Sequence, residues 1–255
     1  MKNIFKEKIE SNKKTVGTFF ECGSTAIIES MGLSGLDYVV IDTEHGPFEA
    51  ESVGEFVCAA ERRNLTPLAR VKEISRSAIL KILDVGAKGL IIPQVKTVED
   101  VKKIVSFGKY PPLGERGVAG QRANCFGYDM GGSLDNWFKT ANSETLLIPQ
   151  CETVECLNDI ENIAAVEGIS GIFIGPYDLS TAMKIPGQFS NPDFINAVKK
   201  IIKAAHACKK FVMIYCDNAE KAREYFSMGV DSASIALDVA VLVDAYRRIV
   251  LEALK

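Results

Sequence analysis

Along the whole chain, short apolar and β-branched runs such as YVVI and GIFI alternate with longer segments whose apolar residues recur at helical spacing, such as VEDVKKIVSF. The pattern predicts eight strands, at Thr15–Cys22, Tyr38–Thr43, Pro67–Val71, Gly89–Gln94, Thr145–Cys151, Gly171–Gly175, Phe211–Cys216 and Ser232–Leu237. Helices are predicted between and after them, at Glu49–Arg63, Arg76–Val85, Val98–Phe107, Val154–Ala165, Pro192–Cys208, Ala219–Met228 and Val239–Leu254. Ser75, Thr97 (with Asp100 at the third helical position) and Asn218 stand where N-caps belong. Gly86, Gly108, Gly168 and Gly229 stand where helices should stop.

Strict alternation of strand and helix is the sequence form of an α/β protein with a parallel sheet wrapped by helices. No linker or shift in composition divides the 255 residues, so we read 1–255 as a single domain. Eight βα units at this length fit a (β/α)8 TIM barrel better than a doubly wound open sheet, and no GxGxxG follows the first strand. One connection breaks the short-loop rule: an insertion at about 113–144 carries Arg116, Arg122 and the only tryptophan, Trp137. It reads either as a surface excursion with a short helix or as a lid or subunit contact, and its length favours the latter.

Composition narrows the partners. A 47% hydrophobic and 25% charged chain can build a substantial core, and a net charge of −3 supplies no broad basic surface for nucleic acid or anionic lipid. Seven scattered cysteines without a CxxC suggest neither a disulfide framework nor a zinc knuckle and fit a reducing cytoplasm. The charged N-terminus lacks an apolar signal core, and no stretch approaches a membrane span. There are only two histidines, His45 and His206. His206 lies in an amphipathic outer helix and reads as structural, so imidazole chemistry would fall to His45.

In a barrel the chemistry belongs at the C-terminal ends of the strands. There the sequence places Asp42, Glu44 and His45 after the second strand, Arg70 at the third, Gln150 and Glu152 at the fifth, and Gly175, Pro176, Tyr177 and Asp178 after the sixth. Period-two alternation sends Asp42 and Glu44 to one side, and likewise Gln150 and Glu152. Glu152 and Asp178 read either as solvated carboxylates or as hard oxygen donors for Mg²⁺ or Mn²⁺, and their convergence with His45 and Arg70 favours the metal. Asp42, three residues before His45, is close enough to orient its imidazole. Arg70 reads as a fork for a substrate carboxylate or a developing enolate oxygen, with a salt bridge closing the barrel end as the alternative. Lys72 and Glu73 read as a solvated loop.

The segments IDTEHGPFE, LARV, LDVGAKGLIIPQV, YPPLGERGV, IPQCET and GIFIGPYDLS, in this order and spacing, resemble the HpcH/HpaI family of metal-dependent, class II pyruvate aldolases, over nearly the whole chain. The resemblance implies cleavage of a 4-hydroxy-2-oxo acid to pyruvate and an aldehyde through a metal-stabilised enolate, with Mg²⁺, Mn²⁺ or Co²⁺ bound by Glu152 and Asp178. It implies that Arg70 binds pyruvate, that His45 paired with Asp42 is the general acid/base, and that Gln150, Gly175, Pro176 and Tyr177 line the substrate site. It further implies that Asp84 reaches the site of a neighbouring subunit, and that the chain forms a homo-oligomer, a hexamer, whose C-terminal helix at about 239–254 packs on a partner. No lysine occurs in GIFIGP, VMIYC or ASIAL, which argues against a Schiff-base aldolase. MIYCDN and SASIALD are less like the dicarboxylate-cleaving members, with Tyr215 and Cys216 bulkier than usual there; together with Tyr177 in the variable place of GPxD and Phe19, Phe20 and Glu21 near the first strand's mouth they leave the aldehyde open. A CoA-thioester lyase of the citramalyl/malyl-CoA type and a non-catalytic metabolite-binding barrel are the competing readings.

Overall fold

The computed structural model describes residues 3–255. Eight parallel strands close into a barrel in sequence order: β1 (Thr15–Phe20), β2 (Tyr38–Asp42), β3 (Thr66–Arg70), β4 (Gly89–Ile92), β5 (Leu146–Cys151), β6 (Gly171–Ile174), β7 (Phe211–Cys216) and β8 (Ser232–Leu237). All eight expected strands are present, several ending one or two residues earlier than the apolar pattern suggests. A short helix α1 (Ile4–Glu10) precedes β1, and α2 (Thr25–Met31), α3 (Ala50–Glu61), α4 (Arg76–Asp84) and α5 (Val98–Gly108) follow the first four strands. After α5 come α6 (Leu134–Glu144), α7 (Val154–Asn158), α8 (Ile160–Ala164), α9 (Pro176–Ala182), α10 (Pro192–Ala207), α11 (Ala219–Met228) and α12 (Asp238–Ala253). The expected caps form: Ser75 accepts from the Ala78 N–H, Asn218 from that of Lys221, and Thr97 with Asp100 closes a capping box. The helix expected over 154–165 is broken at Asp159 into α7 and α8.

Alternation along each strand separates two cores. Residues such as Val39, Ile41, Ala69 and Leu147 face the helices, while Tyr38, Val40, Leu68, Ile148, Phe173 and Met213 fill the barrel interior. Helix α1 closes the N-terminal end by burying Phe5 against the rings of Tyr38 and Phe211, at 4.9 and 5.7 Å. With seven residues and one fully buried side chain, α1 has too short a pattern to be read as a helix from sequence.

The long insertion connects α5 to β5, so it lies at the N-terminal end of the barrel. This placement excludes a lid over the mouth of its own barrel, because only connections from strand to helix open there. It contains a short 3₁₀ segment at Arg122–Gly127 and α6. It is tied down by Lys109, a buried lysine whose Nζ donates to the carbonyls of Asn142 (2.6 Å) and Thr145. Burial, reinforced by Lys6, Lys210 and Arg116, lowers the Lys109 ammonium to about 7. The unfolded chain therefore holds this proton up to about pH 10.4 while the folded chain releases it, and stability falls as pH drops from about 10 to about 7. Lys109→Met is expected to flatten that rise in urea midpoint with pH; an unchanged slope would remove Lys109 as its origin. No helix among the described residues is long and apolar enough to cross a membrane.

Candidate active site

At the C-terminal mouth, the inward-facing positions that are apolar deeper in the barrel become polar. β2 reads Tyr38, Val40, Asp42 on its inner face, β3 reads Leu68, Arg70, and β5 reads Leu146, Ile148, Gln150, followed by Glu152. The mouth is a cavity of about 450 Å³ lined by His45, Arg70, Gln150, Gly175, Pro176, Tyr177 and Asp178 together with Phe19, Glu21, Phe173, Tyr215 and Leu237. Seven of the residues singled out from sequence thus meet in one cavity, and Asp42 and Glu152 sit directly against its lining. Asp84 does not: it lies at the end of α4, held by Arg116 Nη2 at 2.9 Å. A hollow of about 530 Å³ at the opposite end contains His206, bonded to Asp231 at 2.8 Å, and none of the predicted site residues.

The register of β2 against β3 sets Asp42 beside Arg70. The fully buried Asp42 carboxylate accepts from Arg70 Nε (3.0 Å) and Nη2 (2.5 Å), and Glu44 takes Nη1 at 3.2 Å. Here the structure departs from the expected Asp42–His45 pairing. Both Asp42 oxygens are engaged by the guanidinium, and His45 meets Asp42 only through its backbone N–H, at 3.5 Å. The His45 ring is two-thirds exposed, with Nε2 4.0 Å from Glu44 Oε2. The salt bridge that was the alternative reading of Arg70 does form, and it leaves capacity for substrate. Of the five guanidinium N–H groups three are engaged, so one on each Nη is free to donate. The Arg70 guanidinium carbon lies 4.9 Å from the Phe19 ring centroid, which fixes the plane of the fork.

Glu152 is buried at the other side. One of its oxygens accepts from the Gln94 backbone (2.6 Å) and side chain (3.1 Å), and the other accepts from Gln150 Nε2. Burial pushes the Glu152 carboxyl above the ordinary range, the hydrogen bonds from Gln94 and Gln150 oppose that shift, and the charge of Asp178 adds to it. Burial likewise raises Glu44, opposed by Arg70. Asp178 arrives by a different route, at the third position of α9, after Gly175 as N-cap and Pro176 as first helical residue. Any side chain at Gly175 would bring its Cβ to 2.9 Å from both Gln150 Nε2 and Glu152 Oε2. Gly175→Ala is expected to displace Glu152 and weaken divalent-ion binding at least tenfold (about 1.4 kcal/mol) by calorimetry with Mn²⁺; an unchanged affinity would separate Glu152 from the ion.

The donor set fits a hard divalent cation. Glu21, Asp42, Glu44, Glu152 and Asp178 crowd one mouth against one guanidinium, and Gln150 Oε1 is buried there as an acceptor with no donor. Among the described residues no three His, Cys, Asp or Glu side chains converge on one point. Two carboxylates alone suit an ion such as Mg²⁺, which retains water and substrate oxygens, and not one needing a closed protein cage.

Two groups, Gln94 and Asp217, were not singled out from sequence, and a third, Glu44, was placed at the mouth without a role. Gln94, with φ of 56°, supplies two donors to Glu152; a polar residue ending β4 was the available signal. Glu44, noted only for its place after β2, completes the cradle of Arg70. Asp217 accepts from the Tyr177 hydroxyl at 2.8 Å, a contact between two loops that no local pattern announces.

The family model for HpcH/HpaI aldolase/citrate lyase matches residues 15–245. The chain is 30% identical over 247 residues to a hydroxypyruvate/pyruvate aldolase of Roseobacter denitrificans, covering 97% of this chain and 95% of that protein. It is 29% identical over 245 residues to a 2-keto-3-deoxy-L-rhamnonate aldolase of Salmonella gallinarum, covering 96% and 91%. A crystal structure of an HpcH/HpaI aldolase/citrate lyase family protein from Burkholderia cenocepacia superposes with a TM-score of 0.92 at 28% identity, covering 99% of this chain and 100% of that one. With the family model spanning most of the chain and a closed barrel carrying the expected residues at its mouth, the protein belongs to the HpcH/HpaI aldolase/citrate lyase family.

Proposed function

We propose that the chain is a metal-dependent aldolase that reversibly cleaves a 4-hydroxy-2-oxo acid to pyruvate and an aldehyde. The observation that carries this reading is the juxtaposition, at one cavity, of a carboxylate pair suited to a divalent ion with a lining arginine that keeps two N–H groups unengaged. Relatives named as pyruvate and keto-deoxy-sugar-acid aldolases support it.

Cleavage of the C3–C4 bond moves an electron pair toward C3 and the keto oxygen, while the proton of the 4-hydroxyl must leave. Mg²⁺, Mn²⁺ or Co²⁺ held by Glu152 and Asp178 would supply the Lewis acidity that favours charge on that oxygen. The two unengaged Arg70 N–H groups donate to the keto-acid oxygens, and the Asp42–Glu44 cradle holds them in place before substrate arrives. His45, at the open side of the cavity, accepts the hydroxyl proton directly or through one water and passes it to C3 to complete pyruvate, and the same two transfers run in reverse in the condensation direction. Gln150 and the turn at Gly175–Pro176 shape the keto-acid end.

We extend the reading to assembly. Helix α12 carries exposed Leu242, Tyr246 and Ile249 along one stripe, with Leu251 exposed on the opposite face, apolar surface suited to a partner barrel in a homo-oligomer, with a hexamer as the expected form. Asp84, remote from its own cavity, is then placed to serve a neighbour's. The seven unpaired cysteines fit a reducing cytoplasm.

Exhaustive chelation is expected to abolish retro-aldol cleavage and pyruvate C3 deuterium exchange, and Mg²⁺, Mn²⁺ or Co²⁺ to restore both. Borohydride with pyruvate is expected not to trap the protein, since among the described residues no lysine lines the cavity. Full activity after chelation would overturn the metal-dependent reading.

A further inference from the structure

Resting on the aldolase reading, we propose that the aldehyde half of the cavity selects an uncharged aldehyde with a short apolar tail, and that Glu21 turns away aldehydes bearing a carboxylate. The cavity lining is chemically mixed: Arg70, Gln150, Gly175 and Asp178 are polar, while Phe19, Phe173, Tyr177, Tyr215 and Leu237 are aromatic or apolar, with Phe19 packed against the Arg70 guanidinium at 4.9 Å. The rings are locked edge to face: Phe19 meets Phe173 at 6.0 Å and Tyr215 at 5.9 Å, and Tyr177 meets Phe189 at 5.0 Å. The Tyr177 hydroxyl is already donated to Asp217, which lies outside the cavity lining, so its ring offers an apolar face and not a hydrogen bond. Burial and neighbouring Asp217 raise the Tyr215 phenol to about 12, which keeps that ring neutral.

Charge points the same way. Arg70 is the one arginine or lysine lining the cavity, and Asp42 and Glu44 already engage its fork. Glu21 lines the same cavity, within electrostatic reach of Asp42, Arg70, His45 and the Tyr215 ring, its backbone N–H anchored on the buried Asp238 carboxylate at 2.9 Å, where α12 begins. A tail ending in a carboxylate would leave water for a wall of rings and a second carboxylate, where the nearest guanidinium is already paired with Asp42 and Glu44 and faces the keto acid. An alkyl tail buries its methylenes on the same wall, each worth about fourfold in kcat/KM.

The test uses the full-length protein with Mg²⁺ and pyruvate, and compares kcat/KM for condensation with propanal, butanal, glyceraldehyde, glyoxylate and succinic semialdehyde. Butanal is expected to exceed propanal and glyceraldehyde, and all three to exceed both anionic aldehydes by about tenfold or more. Glu21→Gln is expected to raise the succinic semialdehyde to butanal ratio by about tenfold, and Tyr177→Ala to erase the preference for butanal over propanal. An anionic aldehyde preferred by the unmodified protein, or a ratio unmoved by Glu21→Gln, would overturn the proposal. The aldehyde panel on the unmodified protein decides the matter even if a variant fails to fold. Pyruvate C3 exchange, run in parallel, separates the two levels: exchange with the wrong aldehyde order overturns only the selectivity, and no exchange with any divalent ion removes the aldolase reading together with it.

Discussion

Replacing Arg70 by alanine is expected to lower retro-aldol turnover by about 10³-fold or more and to remove pyruvate C3 proton exchange with it. The two losses go together because, on the proposed reading, both reactions pass through negative charge on the keto-acid oxygens that the unengaged guanidinium N–H groups bind. The same substitution has a second consequence. Asp42 is fully buried and bonded to Arg70 through both oxygens, so truncation strands a carboxylate in the barrel and should cost about 3–5 kcal/mol in unfolding free energy. Arg70→Lys separates the effects: a lysine keeps a charge near Asp42 but cannot bond both Asp42 oxygens while presenting donors to substrate. It should recover part of the stability and little of the turnover. An Arg70→Ala protein that exchanges pyruvate protons at the unmodified rate would remove Arg70 from the reaction.

His45→Ala is expected to reduce kcat for cleavage by about 10²–10⁴-fold, the range for loss of a general acid/base. It should leave the thermal midpoint nearly unchanged, because the ring is two-thirds exposed. Loss of rate without loss of stability is the signature that distinguishes His45 from Arg70. Asp42→Asn bears on the corrected pairing. If Asp42 served to orient the imidazole, this variant would imitate His45→Ala; in the observed geometry it weakens the cradle of Arg70 and should instead imitate a milder Arg70 variant, with loss of both stability and exchange. A stable Asp42→Asn protein deficient in cleavage alone would restore the imidazole pairing.

Much of this protein is legible in its sequence because the signals are local. Eight apolar runs between amphipathic helices specify a barrel, and period-two alternation alone sends Asp42, Arg70, Gln150 and Glu152 to its inner face. The polar residues that end those runs mark the mouth, and the scarcity of histidine leaves His45 as the imidazole there. Pairing among the converged groups is a different matter. Asp42 sits three residues from His45 but meets Arg70, 28 residues away, because strand register places their Cα atoms side by side. Gln94 reaches Glu152 across 58 residues, and Tyr177 reaches Asp217 across 40. From sequence the insertion at 113–144 reads as a surface excursion or as a lid or subunit contact; barrel closure places it at the end away from the mouth and removes the lid. Which strand residues enter the barrel mouth follows from a two-residue period that each strand carries alone. Which of them bond to one another follows from the register between strands and from the loops above them, which no single segment encodes.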